Sequence, residues 1–349
     1  MADPVEPRVL VLFPGALGDF ICFLPALQAL ARKAQVDVLA QTAFADLTPA
    51  RIRVRSLECY EIRRLFAAGA AEDKRCVEFF GSYTSIYSWT GNGQDHFVRS
   101  LDGLSRGRAR VYPFRCADGR THQMDYYLSC LGTALENPDA PLIAPRREAM
   151  DWSEKYWAQN GLENRLVLAL APGSGANEKN WPVAFYQAVA SWWRRKTGGA
   201  VVVILGPVEE ERGAWNFLCT GNLVARKLSL AQVVALLSRS RLYLGNDSGV
   251  THVAAALGIR TVALFGPSDV RQWAPRGKKV TIVTQNVECS PCARRIMKSC
   301  THRKCLTTLA PEQIIRILKQ LPERATLTRG GQEFRLNSAI FPLKHLKSD

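Results

Sequence analysis

The chain has 349 residues, of which 47% are hydrophobic and 22% charged, and a net charge of +15. That composition provides enough apolar mass for two ordinary cores and excludes a disordered or fibrous protein. No apolar run reaches the length of a membrane span, and the longest near the N-terminus, Phe20 to Ala31, falls short.

In chain order, the first expected strand is Arg8 to Phe13, an apolar run suited to a sheet buried on both faces. The loop Pro14-Gly15-Ala16-Leu17-Gly18 follows. Asp19 then opens a helix with Ile21, Leu24, Leu27 and Leu30 on one stripe. Further strands are expected at Val36 to Ala40, Ser85 to Ser88 and Ala109 to Tyr112. Residues 43–75 carry no clear period. Glu136 to Arg147, with Pro138, Pro141 and Pro145, reads as an extended linker. A helix from Asp151 to Gln159 precedes a second alternation: strand Leu166–Leu170, helix Pro182–Lys196, strand Ala200–Leu205, helices Glu209–Leu218 and Leu230–Ser238, strand Arg241–Gly245, helix Val250–Leu257 and strand Thr261–Phe265. Strands alternating with helices imply parallel sheets. The expectation is an α/β protein of two Rossmann-like halves, with ligands at the carboxyl ends of the strands.

Charge is uneven. Residues 1–150 hold 18 Lys/Arg against 17 Asp/Glu, and residues 151–349 hold 28 against 14. The excess thickens after Arg271. A surface of this sign attracts nucleotide phosphates, acidic lipid headgroups or nucleic acid, or serves only solubility.

Four strand-end loops carry candidate chemistry. In the first, Gly15 and Gly18 permit close approach of a ligand, and Asp19 is either a helix cap or a carboxylate that accepts a proton from an attacking hydroxyl. The second, Pro172-Gly173-Ser174-Gly175 through Lys179, offers backbone donors and one mobile ammonium for a diphosphate. The third, Asn246-Asp247-Ser248-Gly249, feeds a helix N-terminus, where unpaired N–H groups and the helix dipole favour an anion. Ser248, Gly249 and Thr251 are its donors. His252 contacts phosphate, shapes the pocket or is a packed core histidine, and Asp247 caps the helix or holds the loop. The fourth, Phe265-Gly266-Pro267-Ser268-Asp269, precedes Trp273, which stacks on a base or packs in the core.

Cys22, Cys59, Cys76, Cys116, Cys130 and Cys219 read as reduced thiols of a cytoplasmic chain. Cys289, Cys292, Cys300 and Cys305 are clustered, with His302 nearby. Their spacing fits either a packed reduced cluster or a small structural zinc site.

These motifs together resemble glycosyltransferase family 9, the heptosyltransferases of lipopolysaccharide core synthesis. The resemblance rests on Gly15-x-x-Gly18-Asp19, Pro172-Gly173-Ser174 with Lys179 and Trp181-Pro182, and Asn246-Asp247-Ser248-Gly249-x-x-His252 with the following Ala254-Ala255-Ala256-Leu257-Gly258 and Phe265-Gly266-Pro267. Cys289-Ser290-Pro291-Cys292 and the later Cys305 before Pro311-Glu312-Gln313 belong to the same pattern. It spans Leu10 to about Gln320. Ser248 stands where the family commonly has threonine.

The resemblance implies a GT-B fold, with residues 1–148 taking the acceptor and residues 149–349, including a basic C-terminal tail, taking a nucleotide-sugar donor. It implies inverting transfer, most simply of heptose from ADP-heptose to a lipid A-linked inner-core acceptor, without an obligatory metal or cofactor. Asp19 matches the family's catalytic base. Ser174, Lys179, Asp247, Ser248, Gly249 and His252 match the donor site. Gly15, Gly18, Arg63 and Arg64 are candidates for the acidic acceptor; the arginine cluster Arg51, Arg53, Arg55, Arg63 and Arg64 either holds its carboxylates and phosphates or is a solvated basic face. The opening Met1-Ala2-Asp3-Pro4-Val5-Glu6 lacks the features of a secretory signal, so the expected location is cytoplasmic, peripheral to the inner face of the inner membrane. Three rivals remain at this point: a family 9 transferase of another sugar, a basic zinc-knuckle nucleic-acid-binding protein, and a nicotinamide-dependent oxidoreductase. The last lacks G-x-G-x-x-G after the first strand, and the second lacks aromatics interleaved with its basic residues.

Overall fold

A computed structural model describes residues 6–134, 142–213 and 215–320. Its framework is two all-parallel sheets. The first holds β1 (Arg8–Leu12), β2 (Gln35–Ala40), β3 (Ile52–Ser56), β4 (Ser85–Ser88) and β5 (Ala109–Val111), in the order β3-β2-β1-β4-β5. The second holds β6 (Val167–Ala171), β7 (Ala200–Leu205), β8 (Leu223–Arg226), β9 (Leu242–Asn246), β10 (Thr261–Phe265) and β11 (Val280–Thr284), in the order β11-β10-β9-β6-β7-β8. Chain order reverses beside β1 and beside β6, which opens a crevice at the carboxyl ends of those strands. The expected α/β class with two Rossmann-like halves is what the chain forms.

Strand alternation sorts the side chains into layers. In the first sheet, Val9 and Val11 face one side and Leu10 and Leu12 the other. In the second, Val167, Ala169 and Ala171 face one side and Leu168 and Leu170 the other. The inner faces of both sheets belong to a single apolar cluster. Helices Leu17–Ala31, Leu230–Ser238 and Gly249–Ala256 fill it, contributing Phe20, Phe23, Leu24, Val234, Leu237 and Val253. The two sheets therefore share an apolar seam.

Three strands were not expected from sequence: β3, β8 and β11. All lie at sheet edges, where half-exposed positions replace a continuous apolar run. The expected helix Glu209–Leu218 is two helices, Pro207–Arg212 and Asn216–Cys219. Gly213, at φ +65°, ends the first in a left-handed cap. The helix expected at Asp151 begins earlier, at Arg147. Of the expected linker, Pro138 and Pro141 lie outside the described residues, as do Met1 to Val5 and the basic tail beyond Gln320. Among the described residues, no helix is long and apolar enough to cross a membrane.

Candidate active site

The sequence places four loops at strand ends, and the fold gathers three of them around the seam between the sheets. The loop after β1 starts helix Leu17–Ala31, and the turn after β9 starts helix Gly249–Ala256. These two helix N-termini meet. A Cβ added at Gly249 would lie 2.8 Å from Cβ of Leu17, and one at Gly18 would lie 3.3 Å from the His252 ring. Gly18 and Gly249 are thus small because two helix starts touch. Gly15 is small for a different reason: a Cβ there would strike the Phe13 ring at 2.4 Å.

Asp19 sits in the first turn of its helix with a side chain 11% exposed. Its Oδ2 accepts the Ala16 N–H at 3.2 Å, so the cap anticipated from sequence is present. Its Oδ1 is buried and has no hydrogen bond. The Arg115 guanidinium is 3.4 Å from that oxygen. Burial raises the Asp19 pKa, opposed by Arg115, by the Ala16 N–H and by Lys179, while Asp247 adds to the rise. The carboxylate therefore has one oxygen committed to the helix and one held back.

Lys179 and Asp247 form an ion pair, Nζ to Oδ2 2.6 Å, with side chains 28% and 9% exposed. The Asp247 N–H donates to Leu264 O at 3.0 Å, tying the turn to β10. Asp247 thus fixes the ammonium rather than capping the helix. Ser248 is the cap: its Oγ accepts the Thr251 N–H at 3.5 Å and lies 3.1 Å from Thr251 Oγ1. The ammonium carries three N–H donors, one of which meets Asp247.

Other sequence candidates have local duties. Ser174 is buried, and its Oγ lies 2.7 Å from both Ala176 O and Asn180 Oδ1, its single proton serving one of them at a time, which shapes the loop after β6. His252 is buried, and burial pulls its pKa down to about 4. Its Nδ1 is 3.8 Å from Cys22 Sγ. It is a neutral ring packed across the seam, so it brings no cation to a phosphate. Arg63 donates to Glu58 O at 2.8 Å. Arg64 donates to Gly69 O at 3.0 Å and pairs with Asp73 at 3.4 Å. These bonds stay within the segment that follows β3; they do not bring either guanidinium to Asp19.

Two residues escaped the sequence reading. Arg115 follows the edge strand β5 in a loop without a motif. It reaches Asp19 and lies 4.5 Å from the centroid of the Trp273 ring, which brings the segments after β5 and β10 together. Trp273 therefore stacks on an arginine here. Asn246, fully buried at the end of β9, grips both ends of the loop that carries Lys179. Its Oδ1 accepts the Trp181 N–H at 3.0 Å and the Tyr186 hydroxyl at 2.9 Å, and its Nδ2 donates to Pro172 O at 2.6 Å. The run of motif letters around Asn246 was the available signal.

The cysteine segment buttresses the same loops. The Cys292 N–H donates to Pro267 O at 2.8 Å, Ser290 Oγ to Gly266 O at 2.6 Å, and Trp181 Nε1 to Leu309 O at 2.8 Å. Cys289, Cys292, Cys300 and Cys305 are free thiols, and burial pushes Cys305 up to about 11. Cys300 Sγ is 3.9 Å from the His302 ring nitrogens. Among the described residues, no three His, Cys, Asp or Glu side chains are grouped to hold a metal ion.

Comparison with known proteins meets this geometry. The model of glycosyltransferase family 9 (heptosyltransferase) matches residues 98–302. The chain is similar to lipooligosaccharide heptosyltransferase 2 of Campylobacter jejuni, 27% identical over 167 residues, which are 45% of this chain and 52% of that protein. That match spans about half the relative's length. Similarity to lipopolysaccharide heptosyltransferase 1 of Pseudomonas aeruginosa is longer, 28% identical over 330 residues, with 85% of this chain and 88% of that protein covered. The solved structure of ADP-heptose lps heptosyltransferase II from Escherichia coli superposes with a TM-score of 0.67 at 19% identity, covering 89% of this chain and 97% of that one. The paired parallel sheets are thus the GT-B fold, and the matched model covers more than half of the sequence. The chain belongs to glycosyltransferase family 9.

Proposed function

We propose that this glycosyltransferase moves heptose from ADP-heptose to a lipopolysaccharide inner-core acceptor, with inversion and without a metal. Residues 149–349 take the nucleotide-sugar and residues 1–148 the lipid A-linked saccharide. The observation that carries the reading is the buried Asp19 Oδ1, free of hydrogen bonds at the seam to which Lys179 and Asp247 couple. A raised pKa makes that carboxylate a stronger base than an exposed one. It removes the proton of the acceptor hydroxyl as that oxygen attacks the anomeric carbon. Negative charge develops on the departing diphosphate. Lys179 and the N–H groups at the start of helix Gly249–Ala256 stabilise it. Arg115 offers a second cation on the acceptor side of Asp19. The lobes work as a peripheral enzyme at the inner face of the inner membrane.

The test is transfer by Asp19→Asn with ADP-heptose. Turnover falls by roughly 10² to 10⁴ while the affinity for ADP stays within about twofold. Unchanged turnover overturns the base assignment. Lys179→Ala weakens ADP binding, and equal affinity rejects the phosphate role. Transfer persists in EDTA; a metal requirement rejects charge stabilisation by these residues alone. Thermal stabilisation by a different nucleotide-sugar, with none from ADP-heptose, assigns another sugar.

A further inference from the structure

Residues 270–311 contain nine Lys/Arg and a single acidic residue, Glu288. The core of this stretch, residues 289–311, has Arg294, Arg295, Lys298, Arg303 and Lys304 and no acid at all. Among the described residues, no carboxylate pairs with Arg295, Lys298, Arg303 or Lys304. Acids elsewhere in the fold do take arginine partners: Asp73 with Arg64, Glu61 with Arg75, Asp125 with Arg276. Helix Arg294–Ser299 also presents Ile296 to water at 56% exposure, and Phe217, two residues beyond Trp215, is 59% exposed. Between these segments lies a cavity of about 570 Å³, lined by Trp181, Trp215, Lys298 and Arg303, with Glu178 as the one carboxylate on its wall. Asp19, Lys179, Asp247 and Ser248 do not line it.

Unpaired cations around an exposed aliphatic side chain match the interface of an anionic bilayer. The cations meet the lipid phosphates, and the apolar side chain enters the acyl boundary. Nucleic acid would account for the charge but not for Ile296 and Phe217 in water. We infer that the segment Arg295–Lys304 docks the protein on an anionic phospholipid surface, and that the cavity between Trp215, Lys298 and Arg303 seats a lipid phosphate. This docking deepens the peripheral seat proposed above and rests on it, but flotation without donor reads it apart from transfer, since Asp19, Lys179, Asp247 and Ser248 do not line the cavity, although neighbours of Lys179 do. It would bring the enzyme to any lipid-linked acceptor.

The experiment is flotation of the full chain with vesicles of phosphatidylglycerol in phosphatidylcholine, and with phosphatidylcholine alone, in the absence of donor. Binding requires phosphatidylglycerol and weakens in high salt. Each cation removed lowers the partition coefficient about fivefold, so Arg295→Ala with Lys298→Ala lowers it about twenty-five-fold. Ile296→Ser lowers it at unchanged salt dependence. Lys33→Ala with Arg99→Ala, both exposed on the first lobe, leaves it within about twofold, and all variants keep the parent melting temperature. Absence of phosphatidylglycerol binding overturns the inference, as does a Lys298 double variant that floats like the parent. A chain that binds a short RNA through the same residues, but no vesicle, overturns it in favour of nucleic acid.

Discussion

Asn246→Ala strips three hydrogen bonds from the buried end of β9 and leaves the Trp181 N–H, the Tyr186 hydroxyl and Pro172 O without their partner. A stranded buried polar group costs about 1–3 kcal/mol. Removing the amide leaves room for a water, which recovers part of this, so the low end applies to each group and the total is about 3 kcal/mol. At about 2–4 °C per kcal/mol for a lobe of this size, the melting temperature falls by about 6–12 °C. Function follows from the placement of those bonds. Pro172 and Trp181 bracket the loop that carries Lys179, so freeing both ends lets the ammonium leave Asp247. Affinity for ADP should fall in the variant even at temperatures where it is fully folded. Asn246→Asp refines the test. It keeps the two accepted bonds but sets a carboxylate oxygen against Pro172 O, so it should be more stable at acid pH, where a protonated carboxyl donates in place of the amide. Differential scanning calorimetry and calorimetric ADP titration read both effects. An Asn246→Ala protein that melts within about 2 °C of the parent and binds ADP equally would show that other contacts hold the loop.

His252 makes stability pH-dependent. Its folded pKa of about 4 lies below the unfolded value of 6.5, so the unfolded chain binds the extra proton between those pH values. Stability is retained above pH 6.5 and lost as pH falls toward 4, by about 3 kcal/mol in total from this residue. His252→Gln should flatten the melting temperature across that window, and an unchanged slope would show the ring is solvated. Gly249→Ala should destabilise by about 1–3 kcal/mol although alanine favours a helix, because the new methyl meets Leu17 at 2.8 Å. Leu17→Gly, which removes the opposing Cβ as well as the rest of the side chain, should relieve the clash in a double-mutant cycle, and additivity of the two costs would deny the contact.

The central strands β1, β2, β6, β7, β9 and β10 were legible because burial on both faces writes an unbroken apolar run. β3 was not: Ile52-Arg53-Val54-Arg55 alternates, and an edge strand with exposed arginines reads like a loop. The strand-end loops pointed to Asp19, Lys179 and the 246–249 turn because glycine, serine and a lone charge at such a place are hard to explain by packing. Arg115 was illegible for the opposite reason. Its partner Asp19 is 96 residues earlier in the chain, and only the parallel order β1-β4-β5 brings their loops together. His252 illustrates a third case. Its position in the first turn of a helix suggested an anion contact, and the touching helix starts bury the ring, so any such contact would come from a neutral imidazole N–H and not from a cation.

Cap and base are compatible roles for Asp19, and the seam explains why. A helix start needs an acceptor for its free N–H groups, and one carboxylate oxygen satisfies it at Ala16. The carboxylate is thereby fixed in rotamer without losing its second oxygen. Packing two helix N-termini together then buries that second oxygen in a region where both dipoles are positive. Burial alone would drive the carboxyl toward its neutral form, and a neutral acid is useless as a base. Arg115, the helix N–H and Lys179 pull in the other direction. Dryness makes the carboxylate more basic, and the positive groups around it favour its charged form. That balance depends on the lobes staying in contact, so any perturbation that parts Leu17 from Gly249 should weaken the base before it disturbs the sheets.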